Sequence, residues 1–146
     1  MKKERKILED LYNAVNMVNA VYEDWARANG LSSNEQRVFA AYWRKKSDSM
    51  TQKELMEMTG EPKTTINSII KKFLELEYVT LEASEKNRKE KLVVLTDEGR
   101  KKKSRLLDSM LKMEEDFVND ENASRIMEAT AIQKSFAEYL RNRLLQ

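Results

Sequence analysis

One stretch of the chain gathers side chains that can hydrogen-bond at close range or carry positive charge, and keeps acids out. In PKTTINSIIKKFLEL, residues 62–76, Lys63, Thr64, Thr65, Asn67, Ser68, Lys71 and Lys72 alternate with Ile66, Ile69, Ile70 and Phe73, and no acid precedes Glu75. At the helical period the two sets fall on opposite faces. Short hydroxyls and an amide suit the edges of nucleic-acid bases, and lysines a turn along suit phosphates. A second gathering runs from Lys86 to Arg105, with nine basic residues (Lys86, Arg88, Lys89, Lys91, Arg100, Lys101, Lys102, Lys103, Arg105) against three acids (Glu90, Asp97, Glu98). The whole chain carries a formal charge of only +2. Positive charge is therefore concentrated in this segment, and the remainder is net negative.

Other chemistries lose their reagents. The 146 residues include no cysteine and no histidine. A disulfide scaffold, a thiol nucleophile, cysteine redox sensing, thiolate or imidazole metal sites and every Ser-His or Cys-His arrangement are thereby excluded. The acids that remain are scattered over hydrated helix faces or sit at helix caps, so neither catalytic residues nor a metal nor a cofactor is expected. The longest apolar run, Val38 to Trp43, has six residues, against about 20 for a membrane-spanning helix. The opening MKKERKILEDLY lacks the apolar stretch of a secretory signal. A cytoplasmic protein without a membrane partner is the expectation.

The elements that must hold these residues can be read from period and punctuation. Three glycines and one proline are too few for the reversals of an all-β fold, so the chain should be mostly helical. Ile7, Leu11, Val15, Val18, Tyr22 and Trp25 make one stripe on a long first helix, closed by Gly30. Ser32 with Glu35, and Thr51 with Glu54, have the spacing of capping boxes. They predict a second helix to about Lys46, burying Val38, Phe39 and Tyr42 or Trp43, and a short third helix ending at Gly60 with Leu55 and Met58 inward. Pro62 suits the first turn of the helix that carries the polar face. YVTLE and KLVVL then read as two antiparallel strands around the polar tip ASEKNRKE. Thr96 caps a further helix, with Asp97 and Glu98 in its first turn. After a polar break at Asn119 to Ser124, a last amphipathic helix carries Ile126, Ile132, Phe136, Tyr139, Leu140 and Leu144.

A short helix, a tight glycine turn and a second helix with an acid-free outer face make a helix-turn-helix, and a basic hairpin directly after it makes a wing. The fold class expected is mainly α with a small β-hairpin wing. Its parts would be an N-terminal dimerisation helix over 1–30, a winged helix-turn-helix over 31–97 and C-terminal dimerisation helices over 98–146. The first and last helices have more apolar face than one small core can bury, which favours a homodimer over a monomeric bundle. The rival to a DNA-binding role is a winged helix used as a protein-interaction module, which would present an apolar patch in place of the lysines.

Over nearly its whole length the sequence resembles the MarR family of winged-helix transcription regulators. The likeness is carried by LSSNEQRVFAAYW, by TQKELMEMTGEPKTTINSIIKKFLELEYV and, most specifically, by NRKEKLVVLTDEG, where Asn87, Arg88 and Lys89 precede Leu95, Thr96 and Gly99 at the family's spacing. The resemblance implies a regulator, usually a repressor released by a small effector, that binds an inverted-repeat operator in double-stranded DNA. It implies that Arg88 enters the minor groove and that Thr65, Asn67 and Ser68 lie on the recognition helix. Tyr22, Trp25, Phe39, Tyr42 and Trp43 concentrate aromatic surface on the first two helices, where the family often binds aromatic anions, with Arg37 or Arg44 as carboxylate partner. Core packing is the competing explanation for the same aromatics. Asn87 stands where an acid commonly anchors the wing arginine, and Ser68 where arginine is frequent. Glu77 stands where a glycine ends the helix, so that an altered or strained cap is expected there.

Overall fold

Three of the six helix starts in this protein are set by short side chains that satisfy the first free amides. In the computed structural model, which describes all 146 residues, the Ser32 hydroxyl accepts from the Glu35 amide at 3.2 Å while the Glu35 carboxylate accepts from the Ser32 amide at 2.8 Å. This reciprocal pair opens α2 (Ser33–Lys45). Thr51 and Glu54 repeat it at the start of α3 (Gln52–Thr59). Pro62 lies just outside α4 (Lys63–Glu75), in extended backbone at its N-cap. Helix ends are equally local. α1 (Lys3–Ala28) stops where Gly30, at φ +74°, lets the Leu31 amide reach back to the Ala26 carbonyl at 2.9 Å.

The chain forms two compact units, Met1–Asp108 and Ser109–Gln146. In the first, β2 (Val79–Ala83) and β3 (Lys91–Leu95) form the expected hairpin. A third strand, β1 (Ser49–Thr51), completes an antiparallel sheet of order β1-β3-β2, with Met50 opposite Val93 on one side and Leu81 opposite Val93 on the other. Two strands were expected and three are found, because three residues before a helix cap are too few to show alternation. Met50 is fully buried.

The core lies among α2, α3, α4 and the sheet. Phe39 stacks on Phe73 with ring centres 4.9 Å apart, and Tyr78 meets both edge-on. Leu55, Ile66, Leu95, Leu106 and Leu107 complete it. Tyr42 is buried in this core and donates its hydroxyl to the Val93 carbonyl at 2.7 Å. Burial, reinforced by the charge of Asp48, pushes its phenol pKa well up, so it is a neutral donor under all ordinary conditions. Trp43, beside it, remains 42% exposed.

α5 (Asp97–Phe117) begins in the first unit. Thr96 caps it, accepting from the Gly99 amide at 3.0 Å. A Cβ on Gly99 would lie 2.0 Å from the Tyr78 carbonyl oxygen, so close approach rather than an unusual dihedral requires the glycine. Tyr78 follows a departure from the usual helix ending. Glu77 takes φ +60°, with its amide bonded to the Leu74 carbonyl and the Tyr78 amide to the Phe73 carbonyl. This is a Schellman ending in which the left-handed position holds a glutamate.

In the second unit, a turn held by the side chains of Asn119 and Asn122 leads into α6 (Ala123–Leu144). None of its residues is buried, and Ile132, Tyr139 and Leu144 are each more than half exposed. The stripe of α1 is likewise uncovered at Ile7 and Val18. No helix is long and apolar enough to cross a membrane.

Candidate nucleic-acid interface

α4 presents its polar side chains along a crest and two flanks. Thr64 and Lys71, seven residues apart, are both exposed, as residues two helical turns apart share a face. On one flank, Lys63 and Asn67 join Gln52 and Lys53 of α3 and Lys89 and Lys91 of the hairpin around a cleft of about 440 Å³. Its apolar lining is Met56, Ile70, Leu81 and Val93, and Glu90 is its one acid. On the other flank, Thr65, Ser68 and Lys72 border the start of α2.

The two flanks differ in how free their groups are. Lys63, Lys71, Lys89 and Lys91 meet no acid. Asn67 accepts a hydrogen bond at its Oδ1 from Nε2 of Gln52. The Ser68 hydroxyl donates back to the Thr64 carbonyl at 3.1 Å, leaving it an acceptor. Lys72, which the sequence offers with Lys71 to phosphates, pairs its ammonium with Glu35 at 2.8 Å. The outer face of α4 is acid-free in sequence, and α2 supplies the acid from 37 residues away. Glu35 is buried while Lys72 is half exposed. Burial alone would push the Glu35 carboxyl up; hydrogen bonds from Lys72 and Ser32 and the lysine charge outweigh it and hold the pKa below the ordinary 4.5.

At the hairpin tip, Lys86, Arg88 and Lys89 are exposed. The Asn87 side chain accepts from the Lys89 amide at 3.1 Å and its carbonyl from the Glu90 amide at 2.9 Å. Asn87 thus shapes the turn, and Arg88 makes no ion pair. Four of the five basic residues further along are engaged. Arg100 pairs with Asp97 and with Asp48, Lys101 with Glu98, Lys103 with Asp48, and Lys102 donates to the Asn29 carbonyl. The positive segment read from sequence therefore divides into a free wing tip and a first half of α5 in which Arg100, Lys101 and Lys103 are paired with acids while Arg105 is exposed without one.

The aromatic residues divide too. Phe39 and Tyr42 are core residues with their faces covered. Tyr22 and Trp25 are half-buried, and the indole N–H of Trp25 is buried with no acceptor. Of the two arginines offered as carboxylate partners, Arg37 pairs with Glu61 at 2.6 Å and Arg44 donates to the Met58 carbonyl at 2.6 Å. Both tie α2 to α3 and the turn after it. Gln52 and Lys53 went unread in the sequence because a helix start after a cap carries no sign of what it faces.

Residues 44–99 match the family model of a winged helix DNA-binding domain. AbsC from Streptomyces coelicolor, a MarR family transcriptional regulator, is similar over 98% of both chains, with a TM-score of 0.74 and 20% identity. The chain has the MarR fold. AbfR, solved bound to DNA, shares it over the full length of both chains, with a TM-score of 0.69 at 16% identity. BpsR from Bordetella bronchiseptica, solved in connection with regulation of its DNA binding by 6-hydroxynicotinic acid, shares it over 89% of this chain and 98% of its own, with a TM-score of 0.67 at 15% identity. No curated protein matches the sequence. α4, β2 and β3 all lie within the residues that match the winged helix model.

Proposed function

We propose that this protein is a dimeric, sequence-specific double-stranded DNA-binding transcription regulator, a repressor released by a small organic effector. The observation that carries the reading is the shared cleft: Lys63 and Asn67 of α4 face Lys89 and Lys91 of the wing, with a single acid among them. Ammonium groups on several elements around the Asn67 amide suit a backbone-gripping, base-reading surface. Thr64, Thr65, Ser68 and Lys71 extend it along α4, and Lys86 and Arg88 along the wing. The segments 1–30 and 98–146 serve dimerisation around a DNA-binding 31–97.

An effector is supported by the unpaired indole N–H of Trp25, a donor that an organic anion can satisfy, with Tyr22 one turn before it on α1 and the exposed Trp43 of α2 as further aromatic surface. Phe39 and Tyr42 support that surface from the core. BpsR offers a precedent in 6-hydroxynicotinic acid, an aromatic acid. AbfR has been solved with a disulfide formed, a mode closed to a chain without cysteine. Regulation needs only about 1 to 3 kcal/mol of coupling between effector and DNA.

The test is selection from a random duplex library, then binding to the selected site with Arg88→Ala beside the wild type. Enrichment of a palindromic site, with Arg88→Ala losing affinity most on A·T-rich flanks where the minor groove is narrow, is the expected result. No enrichment of any sequence would favour the protein-interaction module. Unchanged affinity and flank preference in Arg88→Ala would remove the wing from the groove.

A further inference from the structure

Asn67 is exposed on α4, yet its side chain is already held. The carbonyl oxygen Oδ1 accepts from Nε2 of Gln52. Gln52 has a firm base: it is the first residue of α3, directly after Thr51, which caps that helix and pairs with Leu92 in the sheet. The donor that fixes Asn67 is thus anchored to the wing strand and to a capping box at once. Both amides line the cleft between α4 and the wing.

An asparagine reads adenine by presenting its carbonyl and its N–H₂ side by side, one to accept from N6 and the other to donate to N7. With Oδ1 bonded to Gln52, that side-by-side pair is held away from a base, and Nδ2 is the group left unengaged. A lone N–H₂ matches the base edge that carries two neighbouring acceptors, O6 and N7 of guanine. We propose that Gln52 is a positioning residue that sets which base Asn67 reads, directing it to guanine in place of adenine. The inference rests on the DNA-binding reading above. It also implies that Asn67 arrives at DNA with its side-chain torsions already fixed, so that little ordering accompanies contact.

The chemistry of residue 52 should therefore be legible in the preferred base. The experiment is selection from a random duplex library with four full-length proteins: wild type, Gln52→Ala, Gln52→Glu and Asn67→Ala. Thermal melts by circular dichroism accompany each. Gln52→Glu keeps the side-chain length and places an acid in the first turn of α3, where the helix favours it, so a folded variant is retained even if Gln52→Ala is not. In the wild type, one position per half-site should hold guanine with a preference of roughly five- to a hundredfold, the discrimination of one good base contact. Asn67→Ala should lose that preference. Gln52→Ala frees Asn67 to turn, and adenine should replace guanine. Glutamate accepts where glutamine donates, so Gln52→Glu should turn Oδ1 outward and select the amino-bearing adenine or cytosine. The same base at every position in wild type and both Gln52 variants, while Asn67→Ala alters one, would overturn the inference; so would adenine at the Asn67 position in the wild type, or no change on removing Asn67. A wild type that enriches no sequence at all would instead overturn the DNA-binding reading itself.

Discussion

Two adjacent lysines on one helix face different fates here, and this separation can be measured. Lys71 stands on the crest of α4 without an acid, while Lys72 is paired with the buried carboxylate of Glu35. Lys71→Ala should leave the melting temperature unchanged, weaken all DNA sequences alike and lower the salt slope of binding by about one unit. Lys72→Ala should instead destabilise the fold by about 1 to 2 kcal/mol, because a buried carboxylate loses its partner; the half-exposed lysine keeps the figure below that of a fully buried pair. A salt-slope change from Lys72→Ala equal to that from Lys71→Ala, with no loss of stability, would show that Lys72 lies on phosphate. The same pair fixes a pH dependence. The folded-state pKa of Glu35 lies below its ordinary 4.5, so the stabilisation is present above that value and is lost as pH falls through and beneath it. Urea titrations of wild type and Glu35→Gln should show an advantage of about 1 kcal/mol for the wild type at pH 7 that shrinks steadily below pH 4.5. An advantage that grows on acidification would reverse the assignment.

Element boundaries were legible wherever a boundary has its own local chemistry. Ser32 with Glu35, Thr51 with Glu54, Thr96 and Gly60 mark helix ends through bonds that lie within a few residues, and the structure has them all. β1 was missed because a three-residue strand is defined only by its partner. The division of the basic residues was equally hidden: Asp48 pairs with both Arg100 and Lys103 from more than 50 residues away, and linear charge counting has no access to such distances. The cap at Glu77 was read from its position and is found in the left-handed region. A non-glycine residue there is strained by roughly 1 to 2 kcal/mol, so Glu77→Gly should stabilise the protein by about 1 kcal/mol after the added freedom of the unfolded chain is set against it. The check is a higher denaturation midpoint at unchanged slope. At Gly99 the sign is opposite. Its missing Cβ is what lets α5 begin against the Tyr78 carbonyl, and Gly99→Ala should cost more than about 3 kcal/mol, since both colliding groups are on backbone. A Gly99→Ala protein of wild-type stability would mean that this approach is dispensable.

For the whole molecule, the apolar faces left uncovered on α1 and α6 point to a second copy as their cover. The protein should sediment as a dimer at micromolar concentration, and glutamate at Val18 and Ile132 together should yield a helical monomer. Footprints should fall as two inverted half-sites roughly 10 base pairs apart, one helical turn. A single asymmetric footprint from a sedimenting monomer would count against both. One feature of the first unit bears on how such a dimer moves. The Thr96 hydroxyl donates to the Glu77 carbonyl, the Thr96 amide to the Tyr78 carbonyl, and Gly99 packs beneath them. The end of α4, the first wing strand and the root of α5 are thus riveted at one point. In the proposed dimer, a torque on the root of α5 would swing α4 and the wing together, because packed elements of this kind switch as a unit. The signal such a joint would transmit in the proposed dimer is a change in the separation of two heads, with each head's own grip unaltered. DNA carrying a single half-site should therefore be bound equally well with and without effector, and only the paired site should respond.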